Sequence, residues 1–183
     1  FGPFIEDIST YFTSLNRGKE SITLNLKNKK DLRILLQLVK KADVLVENFR
    51  PGTMDRLGLE DKKLFKINPK LIYASCSGFG RTGKLSSKPA YDLIVQAMGG
   101  IMSITGKDKN ETYRVGSSIG DIVAGLYAVI GVLTQIIFRN QSKKGSRLDL
   151  SMLDCQVAIL ENAIARYSVE KKIPCPLGTD HPS

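Results

Sequence analysis

A doubly wound α/β fold, a parallel sheet with flanking helices, is what the sequence predicts, and three observations carry it. Short β-prone runs alternate with helical apolar spacing through the first half of the chain. Gly and Pro breaks separate them at lengths that suit βαβ units with right-handed crossovers. A loop rich in Gly, Ser and Thr then follows the third strand, at the sheet end where open α/β folds place ligands.

The elements follow in order. Glu20 to Leu26 reads Glu-Ser-Ile-Thr-Leu-Asn-Leu, alternates, and is expected as a strand. Lys29 to Ala42 sets Leu32, Ile34, Leu35, Leu38 and Val39 at helical spacing. Asp43 to Glu47 is a second short strand, and Pro51-Gly52 breaks the chain. Glu60 to Ile67 forms a modest helix ended by Asn68-Pro69, and Lys70 to Ser75 is the third strand. Ser77 to Lys88 is the loop. Tyr91 to Ile104 and Asp121 to Arg139 read as helices, Arg147 to Leu150 as a short strand, and Ser151 to Val169 as a further helix capped by Ser151. There is no internal repeat. Residues 174–183 are turn-rich and close no element, which reads as a segment of a larger protein.

Composition narrows the function classes. With 42% hydrophobic residues, the chain can bury one sizeable core and is not a disordered tail. The net charge of +9 suits an anionic partner, although much of it is scattered lysine on a solvated surface. Cys76, Cys155 and Cys175 are far apart and form neither a zinc pattern nor a disulfide framework, which fits a reducing compartment. The one histidine, His181, leaves little for His-based catalysis or a His-rich metal site. No basic and aromatic interleaving marks a nucleic-acid module. The apolar run Ile122 to Leu133 is too short for a membrane span, so a core helix buried on most faces is expected.

Asp121 puts one carboxylate at the N-terminus of that helix, after Gly116-Ser117-Ser118-Ile119-Gly120. Capping the free N–H groups and meeting the positive end of the macrodipole would alone explain it. The other reading is a carboxylate nucleophile or base whose basicity partial burial tunes. Glu47-Asn48-Phe49-Arg50-Pro51-Gly52 follows a strand and offers an amide, an aromatic face and a guanidinium, with Arg56 close behind. That group can stack a purine and pair a phosphate, or be a solvated strand-to-helix turn. Gly78-Phe79-Gly80-Arg81-Thr82-Gly83 lacks both the Lys-Ser/Thr of a P-loop and the GxGxxG order, and is set aside as a nucleotide loop. Asp92 is a second candidate carboxylate, equally explicable as a first-turn acid.

Five motifs in register resemble the class III CoA-transferases, the CaiB/BaiF type. They are Asn16-Arg17-x-Lys19-x-Ser21-Ile22-x-Leu24, Ala42-Asp43-Val44-x-Val46-Glu47-Asn48-Phe49-Arg50-Pro51-Gly52, Ser75-x-Ser77-Gly78-Phe79-Gly80-x-Thr82-Gly83, Tyr91-Asp92-x-x-x-Gln96-Ala97-x-Gly99-Gly100, and Ile119-Gly120-Asp121-Ile122-x-Ala124-Gly125-Leu126. Ser151-Met152-Leu153-Asp154 and Gly178-x-x-His181-Pro182 extend the likeness to the whole chain.

The resemblance implies a Rossmann-like sheet and makes Asp121 the nucleophile that carries CoA as an aspartyl thioester. It places CoA and substrate contacts at Leu24, Lys27, Asn48, Phe49, Arg56 and Asp92. Coenzyme A enters as the acyl-CoA substrate, and no tightly bound cofactor or metal is expected. The motif forms look most like the type that moves CoA from succinyl-CoA to glutarate or a similar acid. The alternatives are an inactive CoA-binding piece and an α-methylacyl-CoA racemase-like isomerase. The racemase pairs His with Asp where this chain has Tyr91-Asp92, which favours the transferase.

Family chains are about twice this length, beyond the usual single-domain range. The resemblance thus implies a partial large domain, with an α/β part over about 1–90, a helical active-site part over about 91–183, and the small domain absent. An interlocked homodimer is implied for the complete protein, with no nucleic-acid or membrane partner, in the mitochondrial matrix or the cytoplasm.

Overall fold

A computed structural model describes residues 1–181, so Pro182 of the last motif lies outside the described residues. The chain forms two compact units, Phe1–Leu35 and Leu36–Ser183.

In the first unit, β1 (Phe4–Ile5) and β2 (Ile8–Ser9) pair antiparallel through a tight turn at Glu6-Asp7, both with positive φ. Ser9 caps α1 (Thr10–Asn16) by accepting the Phe12 N–H at 3.0 Å. The strand expected over Glu20 to Leu26 does not form. The segment has no regular structure, because alternation makes a run extended but only a ladder partner makes it a strand. Asp31 fixes its end by accepting the Asn25 N–H at 2.8 Å, at the start of α2 (Lys29–Lys41).

The second unit is built on a parallel sheet in the order β3 (Val44–Glu47), β4 (Ile72–Ser77), β7 (Ser146–Ser151). Between β3 and β4 lie α3 (Thr53–Arg56) and α4 (Asp61–Ile67). After β4 come α5 (Asp92–Met98), a 3-10 turn at Ile101–Ile104, and the hairpin β5 (Gly106–Asp108) with β6 (Glu111–Thr112). Next are α6 (Ile119–Ser142), β7, α7 (Met152–Ala158) and α8 (Asn162–Glu170). This is the expected α/β parallel sheet with flanking helices.

β4 is central and almost wholly buried, so its alternating side chains define two unlike faces. Cys76 and the β7 residues Leu148 and Leu150 join Val95, Val123, Ala124, Met152 and Cys155 in an apolar core under α5, α6 and α7. Tyr73 and Ser75 face the other way, into a polar layer. There Arg147 lies 3.7 Å over the Tyr73 ring, donates to Ser75 Oγ at 2.6 Å, and approaches Asp61 at 3.3 Å.

Three helices differ from expectation. The Tyr91–Ile104 helix stops at Met98, because Gly100 takes φ +88° and turns the chain into the 3-10 segment. The Ser151–Val169 helix keeps its cap, Ser151 Oγ accepting the Asp154 N–H at 3.1 Å, but divides in two around Glu161 at φ +44°. Helix α6 is not buried on most faces. Gly131 lets it lie close on β7, where an added Cβ would sit 2.6 Å from Leu148, while the opposite side leaves Leu133 54% and Ile137 64% exposed. Among the described residues nothing covers that side. At 24 residues α6 is also long and apolar enough to cross a membrane by length and composition alone, a property that core helices share.

Candidate active site

A cleft of about 510 Å³ opens beyond the carboxyl ends of β3 and β4. This is where an open parallel sheet exposes its strand-to-helix turns. Asn48 and Phe49 come from the turn after β3, Cys76 from β4, Lys88 from the loop that follows, and Asp121 from the first turn of α6.

The walls are held by hydrogen bonds that fix each turn. Asn48 Nδ2 donates to the Cys76 carbonyl at 2.6 Å, tying the β3 turn to β4. Glu47 accepts the Phe49 N–H at 2.7 Å and leaves the ring about half exposed. The loop after β4 is anchored by Arg81, whose N–H donates to Asp149 at 2.9 Å and whose guanidinium grips both Asp61 oxygens at 2.9 and 3.0 Å. Gly78 is required by close packing, since a Cβ there would lie 2.5 Å from that of Ala90. This contact brings the Lys88 to Tyr91 segment against the cleft. Gly78 therefore serves loop packing.

Asp92 and Asp121 divide the work that the sequence left open between them. Asp92 Oδ1 accepts the Gly120 N–H at 2.8 Å, meeting one of the unpaired donors of the α6 N-terminus from a neighbouring helix. Its Oδ2 accepts from Gln96 Nε2 at 2.8 Å. Asp121 makes no capping bond, and among the described residues its carboxylate accepts no hydrogen bond. It stands in the cleft wall with both oxygens available.

The electrostatics distinguish Asp121 from the nearby thiol. Partial burial, and then the negative charge of Asp92, raise the Asp121 pKa, making the carboxylate more basic than a solvated aspartate. Burial pushes the Cys76 thiol up to about 11, with Cys155 and Asp121 adding to the effect, so it stays protonated at neutral pH.

The sequence-predicted residues fall into three groups. Asn48, Phe49 and Asp121 share the cleft. Asp92 lies behind Asp121 with both oxygens engaged, and Arg56 folds back on its own turn, donating to Thr53 Oγ1 at 2.8 Å. Leu24 and Lys27 belong to the first unit, Leu24 half-buried and Lys27 exposed with its N–H on Asn25 Oδ1 at 3.1 Å. Sequence reasoning passed over Lys88 and Cys76 as site residues. Lys88-Pro89-Ala90 at the end of a ligand-side loop was the available signal for Lys88; nothing local marked Cys76.

The model of CoA-transferase family III matches residues 1–183. An acetyl-CoA:oxalate CoA-transferase of Acetobacter aceti is 50% identical over 100% of this chain and 47% of its own length. A succinyl-CoA:glutarate CoA-transferase of Mus musculus is 38% identical over 99% of this chain and 42% of its own length. The crystal structure of a CAIB/BAIF family protein from Brucella suis superposes with a TM-score of 0.92 at 38% identity, covering 97% of this chain and 48% of that one. The chain thus spans about half the length of the curated relatives it matches.

Proposed function

The chain belongs to CoA-transferase family III, and we propose on that premise that the full-length protein moves coenzyme A from an acyl-CoA donor to a carboxylic acid, with Asp121 as nucleophile. The observation that carries this reading is the Asp121 carboxylate itself, which stands in the cleft wall with no hydrogen bond among the described residues while Asp92 meets the helix terminus.

The Asp121 carboxylate attacks the thioester carbonyl and expels the CoA thiolate, leaving a mixed anhydride. The thiolate then attacks the aspartyl carbonyl and releases the donor's acid, so that CoA is held as an aspartyl thioester. The acceptor carboxylate reverses both steps and leaves as the new acyl-CoA. One thioester is broken and one made, so the exchange needs no external energy source. Asn48 and Phe49, with Leu24, Lys27 and Arg56, are read as contacts for the CoA body, where an aromatic face and cations suit adenine and phosphate.

The acceptor is read as a small dicarboxylate. Both named relatives act on one, oxalate or glutarate, and Arg50 and Lys88 place cations in the cleft lining. Acetyl-CoA or succinyl-CoA is the corresponding donor. The working form is read as a homodimer, checked by light scattering.

The test pairs each donor with each acid in the full-length protein and follows acyl-CoA exchange by chromatography. Asp121→Ala lowers exchange by about 1,000-fold or more, and hydroxylamine traps a hydroxamate at Asp121 of the wild type. Full exchange in Asp121→Ala sinks the assignment. Retained CoA binding without exchange in the wild type marks a binding module instead.

A further inference from the structure

We propose that Gln96 is a positioning residue for Asp121, acting through Asp92; the inference rests on the CoA-transfer reading above. Gln96 is fully buried on α5, a costly place for a primary amide unless its polar atoms are met. They are met in one pattern. Nε2 donates to Asp92 Oδ2 at 2.8 Å and reaches toward the Ser117 carbonyl at 3.4 Å, and Oε1 accepts the Val115 N–H at 2.8 Å.

Asp92 passes the restraint on by accepting the Gly120 N–H at 2.8 Å. The segment entering α6 is therefore tied to α5 at residues 115 and 117 directly and at residue 120 through the carboxylate. Asp121 is the next residue along. The Val115 N–H needs an acceptor and Asp92 needs a donor, so only one orientation of the amide satisfies both. That orientation fixes one carboxylate geometry for Asp92 and holds its negative charge beside the start of α6. Gln96 is not in the cleft lining, so its influence on the reacting group runs through position and field.

The polarity of the chain of bonds makes the role testable in the full-length protein. Gln96→Met removes the amide at similar volume. Asp92→Asn sets a donor against the Gln96 donor. Combining Asp92→Asn with Gln96→Glu reverses the bond: the new amide at 92 donates to the new carboxylate at 96, while the Gly120 and Val115 N–H groups keep their acceptors.

Each single variant is expected to lower kcat by about tenfold or more, with the KM for acyl-CoA changed by less than about threefold, because the loss is one of alignment. The double variant is expected to recover most of the kcat that Asp92→Asn loses. Assays run well below each variant's measured Tm, so lost folding does not imitate lost alignment. Wild-type kcat in Gln96→Met, or a double variant no better than Asp92→Asn, overturns the proposal. Asp121→Ala in the same assay separates the two readings: if it is active the nucleophile assignment fails, and if it is inactive while Gln96→Met is not, only the positioning role fails.

Discussion

Asp92 Oδ1 accepts the backbone N–H of Gly120 at 2.8 Å, one residue before Asp121 in the first turn of α6. The helix terminus is thus served by a carboxylate from α5, and the carboxylate on the helix itself is left facing the cleft. An aspartate in this position would ordinarily be explained by capping. Here that explanation belongs to its neighbour, which gives the following tests their direction.

Asp121 should cost the fold stability at neutral pH. Its pKa is raised in the folded protein by partial burial and then by Asp92, so folding disfavours the ionised form. The penalty is absent below the ordinary aspartate pKa of about 3.9 and grows as pH rises through the folded value. Asp121→Asn is therefore expected to raise Tm at pH 7, with the gain shrinking toward pH 3. Thermal melts across pH check it; a lower Tm at pH 7 contradicts the sign.

Transfer should fall on the acid side as Asp121 takes up a proton, with a limb above that of a solvated aspartate. The other charged groups in the cleft lining are Glu47, Arg50 and Lys88, while Cys76 is neutral there. Asp92→Asn combined with Gln96→Glu moves the α5 charge one hydrogen bond farther from Asp121, so the limb is expected to shift to lower pH. A profile of kcat/KM against pH reads the shift, and a move to higher pH counts against the Asp92 field.

Gly120→Ala should loosen the junction of α5 and α6. Its Cβ would lie 3.1 Å from Asp92 Oδ1 and 3.2 Å from Val95 Cγ1, inside a buried contact. A loss of about 1–3 kcal/mol is expected from such overpacking, together with reduced transfer because the Asp92 bond must lengthen. Urea denaturation and the exchange assay measure the two effects; unchanged stability refutes the tight approach.

Thiol labelling should discriminate the cysteines. Cys175 is exposed, whereas Cys76 is partly buried with its thiol pushed up to about 11. Iodoacetamide at pH 7.5 is expected to modify Cys175 first and Cys76 far more slowly, since the thiolate is the reacting form. Peptide mass spectrometry follows both, and early loss of Cys76 would show its thiol to be less shielded than the geometry implies.

The sequence by itself determined the α/β class, β3, β4 and β7 within a residue or two, α2 and α4, the Ser151 cap, and the loop at the ligand end of the sheet. Those features follow from apolar period, turn chemistry and caps, which are local. It also determined the family, through five motifs whose order no composition argument supplies. Sequence alone did not determine whether Glu20 to Leu26 would find a ladder partner, where Gly100 would end α5, or which side of α6 would be covered. Each of these depends on what packs alongside. Only the tertiary structure showed that the start of α6 is met by Asp92 and not by Asp121. The acceptor that meets the Gly120 N–H lies 28 residues earlier in the chain, on another helix, and no local pattern could have shown that Asp92 reaches it.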